Sequence, residues 1–193
     1  MVETQVIVSV GQLVQEAVEL VNQGAFDRAF VPTARAISET VAKESGDPTP
    51  SAITIGKFLK SNFQLITFMG MPRALPLPMN IPFALKRIVP KFNVLHGAEE
   101  IVSLIVTETL KFDRLPEVFA LGTSGAFEIS RGKLLLPSGI VCGLLGSVIF
   151  QPVNAGETIG EEVWISISDF KWFVSELFGR KDMAERIMKF YIG

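Results

Sequence analysis

One cysteine, one histidine and one tyrosine stand among the 193 residues of this chain. Cys142 alone cannot close an intramolecular disulfide or build a multi-thiolate metal centre, which excludes a disulfide scaffold and a zinc finger. His96 alone leaves histidine-rich metal sites without ligands, and neither a metal nor a cofactor is expected. Charge is sparse as well: 20% of residues are charged and the formal net charge is −2, a balance that does not fit a dedicated nucleic-acid domain. Long apolar runs are also missing. Pro137, Ser138 and Gly139 interrupt Leu134–Phe150, and the remainder falls short of the roughly 20 residues a membrane-spanning helix needs. The start carries Glu3 where a targeting signal has a basic region, and Gly11 and Gln12 break its apolar run, so a cytoplasmic protein is expected.

What the chain has in quantity is apolar material, 48% of residues, which excludes intrinsic disorder and points to a homo-oligomer. Ser9 precedes Leu13, Val14, Ala17, Val18 and Val21, a helical stripe that Gly24 ends. Asp27 can cap a second helix with Phe30, Ala34, Ile37 and Val41 inward, completing a helical hairpin. The polar stretch Ser45–Pro50 reads as a linker, and Ser51 onward (Ile55, Phe58, Leu59, Phe63, Ile66) fits a further helix despite Gly56. Four prolines between Met71 and Pro82 block regular structure there, and a short helix can follow over Phe83–Val89. Gly97–Phe112 is a well-patterned helix, with Glu99 and Glu100 in its first turn and Lys111 in its last, as the helix dipole prefers.

After Pro116 the texture turns to β. Val118–Leu121, Ala126–Ser130, Leu134–Leu136, Ile140–Phe150 and Glu162–Ser168 are expected as strands of an antiparallel meander, with a tight hairpin at Ser130–Lys133. Two helices, Phe170–Phe178 and Met183–Tyr191, are expected to cover the sheet. The expectation is a single α+β domain over 1–193, felt as two lobes, helical over 1–115 and β-rich over 116–193.

Candidate chemistry is thin. His96, Glu99 and Glu100 lie about one helical turn apart and could serve as an acid/base group, although a capped helix start explains them as well. Gly122-Thr123-Ser124-Gly125-Ala126 is a degenerate nucleophile elbow in a strand context, better read as a turn. Gly139, Gly143 and Gly146 match no phosphate-cradling motif and suggest close packing within a sheet. Cys142 lies among apolar residues, a setting that makes a thiol inert.

The distribution of charge is more informative. Residues 1–47 carry net −4, residues 48–98 carry net +6 with no acid at all, and residues 99–193 carry net −4. The cations are Lys57, Lys60, Arg73, Lys86, Arg87 and Lys91, and they flank apolar Leu77 and Met79. A cationic, apolar segment over 57–91 suits docking on a protein or an anionic partner. The alternative is that the cations pair with the acidic flanks of the same chain or of a second copy. The reading is therefore a non-enzymatic interaction or ligand-binding module. The alternatives are a small enzyme using His96 with Glu99 or Glu100, and an anion-binding protein for nucleic acid or lipid.

Overall fold

The structure is a computed structural model, and it describes residues 8–70 and 98–192 apart from 124, 126, 168 and 169. Its class is α+β, as the segregated pattern predicts. Helix α1 (Val10–Asn22) starts on a capping box, in which Ser9 Oγ accepts the Gln12 amide at 3.1 Å and Gln12 Oε1 accepts the Ser9 amide at 2.9 Å. Helix α2 (Phe26–Ser45) lies against α1. Asp27 is inside its first turn, where it complements the dipole, and the residue at the cap is Ala25. The expected stripe Phe30, Ala34, Ile37 and Val41 is fully buried.

The segment after Ser51 is two helices where one was expected, α3 (Ala52–Ser61) and α4 (Phe63–Gly70). They divide at Asn62, whose side chain turns back to the Phe58 carbonyl at 2.9 Å. Helix α5 (Ala98–Phe112) packs on α3 and α2.

The β-rich half departs most from the sequence expectation. Ile140–Ile149 is helix α6, and a strand was expected there. Nearly all of it is buried, and it meets α4, α2 and α1. A helix apolar on every side belongs in the middle of a fold, and this one has the periodicity of no particular element because it has no polar face. Its glycines are spaced for helix packing. A Cβ on Gly143 would overlap the Ile66 carbonyl oxygen, and one on Gly139 would overlap the Gly70 carbonyl oxygen, so α6 and α4 lie almost backbone to backbone.

The strands form two small sheets in place of one meander. In the first, β1 (Phe119–Gly122), β2 (Glu128–Ser130) and β3 (Lys133–Pro137) take the order β1-β3-β2. β3 pairs antiparallel with β2 but parallel with β1, Phe119 lying opposite Leu134. The β2–β3 hairpin is the tight one expected: Arg131 at φ 50° and Gly132 at φ 76° make a two-residue turn with both φ values positive. The second sheet is the antiparallel pair β4 (Trp164–Ile167) and β5 (Phe170–Phe173). Phe170–Phe178 is thus a strand and a short 3-10 turn (Val174–Glu176), not a helix. Only α7 (Lys181–Ile192) remains of the two expected terminal helices. On one face of the second sheet Lys171 lays its ammonium over the Trp164 ring, 4.3 Å from the centroid.

Residues from α1 through α7 contribute to one buried apolar cluster. Its polar exceptions are hydrogen-bonded for the most part. Asn154 Nδ2 donates to Thr40 Oγ1 and to the Val148 carbonyl, each at 2.9 Å, tying the loop after α6 to α2. Glu157 in the same loop accepts the Gly11 amide at 2.7 Å and an ion pair from Lys43, fastening the start of α1.

Candidate functional site

Helix α3 is capped by Ser51, whose Oγ accepts the Thr54 amide at 3.2 Å. Ile55, Phe58 and Leu59 then drop into the core, which leaves Ile53, Lys57 and Lys60 on the outer flank at i, i+4 and i+7. Helix α5 buries Ile101, Val102, Ile105 and Val106, and carries Glu99, Ser103 and Thr107 along its flank towards α3. The two helices come closest where Gly56 faces Ser103, since a Cβ on Gly56 would lie 2.9 Å from Ser103 Oγ.

Above that contact runs an open groove of about 650 Å³. Ile53 and half-buried Leu104 supply its apolar surface, Lys57 and Lys60 one rim, and Glu99 and Glu100 the other. Four residues singled out separately in the sequence therefore meet across one furrow. Among the described residues neither lysine is in an ion pair, so the expected neutralisation by acidic flanks is not made by these two. Ile53 is 73% exposed, an apolar side chain held out one helical turn before Lys57. The polar groups present are ammonium, carboxylate and hydroxyl, a set suited to ion pairing and hydrogen bonding with a ligand of mixed charge.

The remaining candidates, Arg73, Leu77, Met79, Lys86, Arg87, Lys91 and His96, lie outside the described residues. Sequence reasoning missed Ile53, Ser103, Leu104 and Thr107. Ile53 could have been found, because it falls opposite the stripe Ile55, Phe58 and Leu59 and shares its helical face with both lysines. Cys142 lies in α6, and burial pushes its thiol pKa up, in keeping with an inert side chain. Among the described residues no three His, Cys, Asp or Glu side chains gather as a metal site would require, and no helix is long and apolar enough to cross a membrane.

A second concavity, about 410 Å³, lies between the start of α2 (Asp27, Arg28) and the end of β1 (Gly122, Thr123). A third, about 280 Å³, lies beside the 2.7 Å hydrogen bond from Gln151 Nε2 to Asn62 Oδ1. Neither gathers any of the binding or acid/base candidates read from the sequence.

The profile of the family described as Rv1289 matches residues 9–191, so the chain belongs to that family. It is similar to the uncharacterized protein Rv1289 of Mycobacterium tuberculosis and the uncharacterized protein Mb1320 of Mycobacterium bovis. Each is 26% identical over 190 residues, covering 94% of this chain and 88% of the relative. No solved structure matches.

Proposed function

We propose that this member of the Rv1289 family is a non-enzymatic interaction module, a single cytoplasmic α+β domain that receives its partner in the groove between α3 and α5. The observation that carries the reading is the meeting of Lys57 and Lys60 with Glu99 and Glu100 across an apolar floor. Lys57 and Lys60, in no ion pair among the described residues, remain available to a ligand, and exposed Ile53 gives that ligand apolar area to cover. The basic segment and the high apolar content support the same reading, and the latter also supports a homo-oligomeric state, which native mass spectrometry tests directly.

The groove is tested by selecting a displayed random-peptide library on the wild-type protein and counting binding against a variant carrying Ile53→Asp, Lys57→Glu and Lys60→Glu. These side chains are exposed, so the variant is expected to melt within a few degrees of wild type. Selected peptides should lose at least tenfold in affinity for the variant and protect amides of residues 52–60 and 99–107 from exchange. Peptides that bind both proteins equally and protect neither helix would remove the reading.

A further inference from the structure

Apart from the groove, we infer that the concavity where α2, α3 and α6 end is a binding site for a free aliphatic α-amino acid. What points to a ligand is a chain of hydrogen bonds that stops at the cavity. Asn62 Nδ2 donates to the Phe58 carbonyl at 2.9 Å, so Oδ1 is the end left to accept, and it takes Gln151 Nε2 at 2.7 Å. The Gln151 amide is thereby oriented, with Oε1 left to accept elsewhere. Gln151 is only 6% exposed, and among the described residues its Oε1 has no partner. Unlike Thr109 Oγ1 and Asn154 Oδ1, which are sealed away, this oxygen still meets solvent, and the concavity that Gln151 lines is this one, of about 280 Å³. A nearly buried acceptor with no donor of its own chain suits a donor from outside.

The charges at the cavity are of both signs. Glu44 lies in the last turn of α2, and Ser61 and Phe150 mark where α3 and α6 stop, so a carboxylate and the negative ends of three helix dipoles gather there. Lys181 is the first residue of α7, at the positive end of that helix, and Glu185 follows one turn later. Among the described residues none of Glu44, Lys181 and Glu185 is in an ion pair. An ammonium group answers the two carboxylates and Gln151 Oε1 together, and a carboxylate on the same molecule answers Lys181. Leu65, Phe150 and Met188 supply the apolar wall for its aliphatic side chain. A plain amine would leave Lys181 unanswered, and a plain carboxylate would bring negative charge against Glu44 and Glu185. The volume falls just under the range of about 300–1,000 Å³ that drug-sized ligands occupy, which suits a molecule of this size.

The experiment is an NMR titration of the full chain with leucine, isoamylamine and isocaproate, which share one aliphatic body and differ only in their charged groups. Leucine is expected to shift the amides of Asn62, Leu65, Gln151 and Ala184 and to bind about tenfold more tightly than either analogue. Glu44→Gln and Lys181→Gln change exposed side chains and should melt within a few degrees of wild type. Glu44→Gln should weaken leucine about tenfold while isocaproate binds no worse, and Lys181→Gln should bring leucine level with isoamylamine. A misfolded variant would not lose one charged group's contribution and keep the other's.

Equal binding of leucine and isoamylamine to wild type would overturn the inference in favour of a simple amine site. Tightest binding of isocaproate would overturn it as well, since the carboxylates would then not govern the cavity. So would the absence of any shift at the cavity with leucine, valine or methionine at about 10 mM, a concentration that detects even millimolar affinity. The groove between α3 and α5 takes no part in these titrations, so its own test stands or falls separately.

Discussion

Gly143→Ala probes the closest approach in the fold. Alanine is the better helix former by about 1 kcal/mol, so on intrinsic grounds the change in α6 should stabilise the protein. The new Cβ, however, would overlap the Ile66 carbonyl oxygen and lie 2.9 Å from the carbonyl carbon, both of them backbone atoms that cannot rotate away. Restoring ordinary contact at about 3.5–4.0 Å means parting α4 from α6 by more than about 1 Å, and a gap of that size gives up about half or more of the dispersion well along the shared face. Overpacking in cores costs typically about 1–3 kcal/mol. Because the crowding atoms are backbone, the upper part of that range, about 2–3 kcal/mol, applies, so after the propensity gain a net loss of about 1–2 kcal/mol is expected, seen as a Tm lower by some 2–4 °C per kcal/mol in a chain of this size. The assay is urea denaturation followed by circular dichroism, with Gly56→Ala as the companion variant. There the crowding atom is Ser103 Oγ at 2.9 Å, a hydroxyl that can turn aside, so the loss should be smaller than at Gly143. Equal or greater stability of Gly143→Ala than wild type would refute the backbone-to-backbone packing of these helices.

Thr109 Oγ1 is buried without a hydrogen-bond partner, so Thr109→Val should raise stability by about 0.5–2 kcal/mol in the same denaturation assay. Asn154→Ala removes donors to Thr40 and the Val148 carbonyl in a fully buried site and should cost about 1–3 kcal/mol. Glu157→Ala releases the start of α1, and amide exchange at Gly11 should quicken more than exchange at Ala17 in the helix middle. Cys142 has a thiol pKa raised by burial above the ordinary 9.0, so its contribution to stability is complete below that value and is lost as pH rises through the higher folded value. Iodoacetamide at pH 8 should label it far more slowly in the folded protein than in urea, and equal rates would show that the thiol is open to solvent.

Where a segment has two unlike faces, its sequence announces its structure. The stripes of α1, α2 and α5, the helix start after Ser9 and the Arg131-Gly132 turn were all legible because each residue has a local reason to be there. Ile140–Ile149 has no polar face, so its β-branched residues argued for a strand that the surroundings do not provide. The spacing of Gly139, Gly143 and Gly146 was the overlooked sign, since i, i+4 and i+7 is one side of a helix. Phe170–Phe173 failed in the opposite direction: a helix was expected there, although Lys171 and Phe173 alternate with Trp172 and Val174 as strand residues do. The parallel pairing of β1 with β3 depends on where the chain travels between them, which no local pattern records. At the groove, each lysine and glutamate was visible alone, but their meeting is a product of how α3 crosses α5.

Because α6 is apolar on all sides and sits among α1, α2 and α4, it also sets an order of events for a chain made from its N-terminus. Some seventy residues separate the end of α4 from the start of α6, and throughout that interval of synthesis the earlier helices hold an unfilled apolar cleft. The arrangement of α1, α2 and α4 around it is therefore completed only once Ile149 has been made.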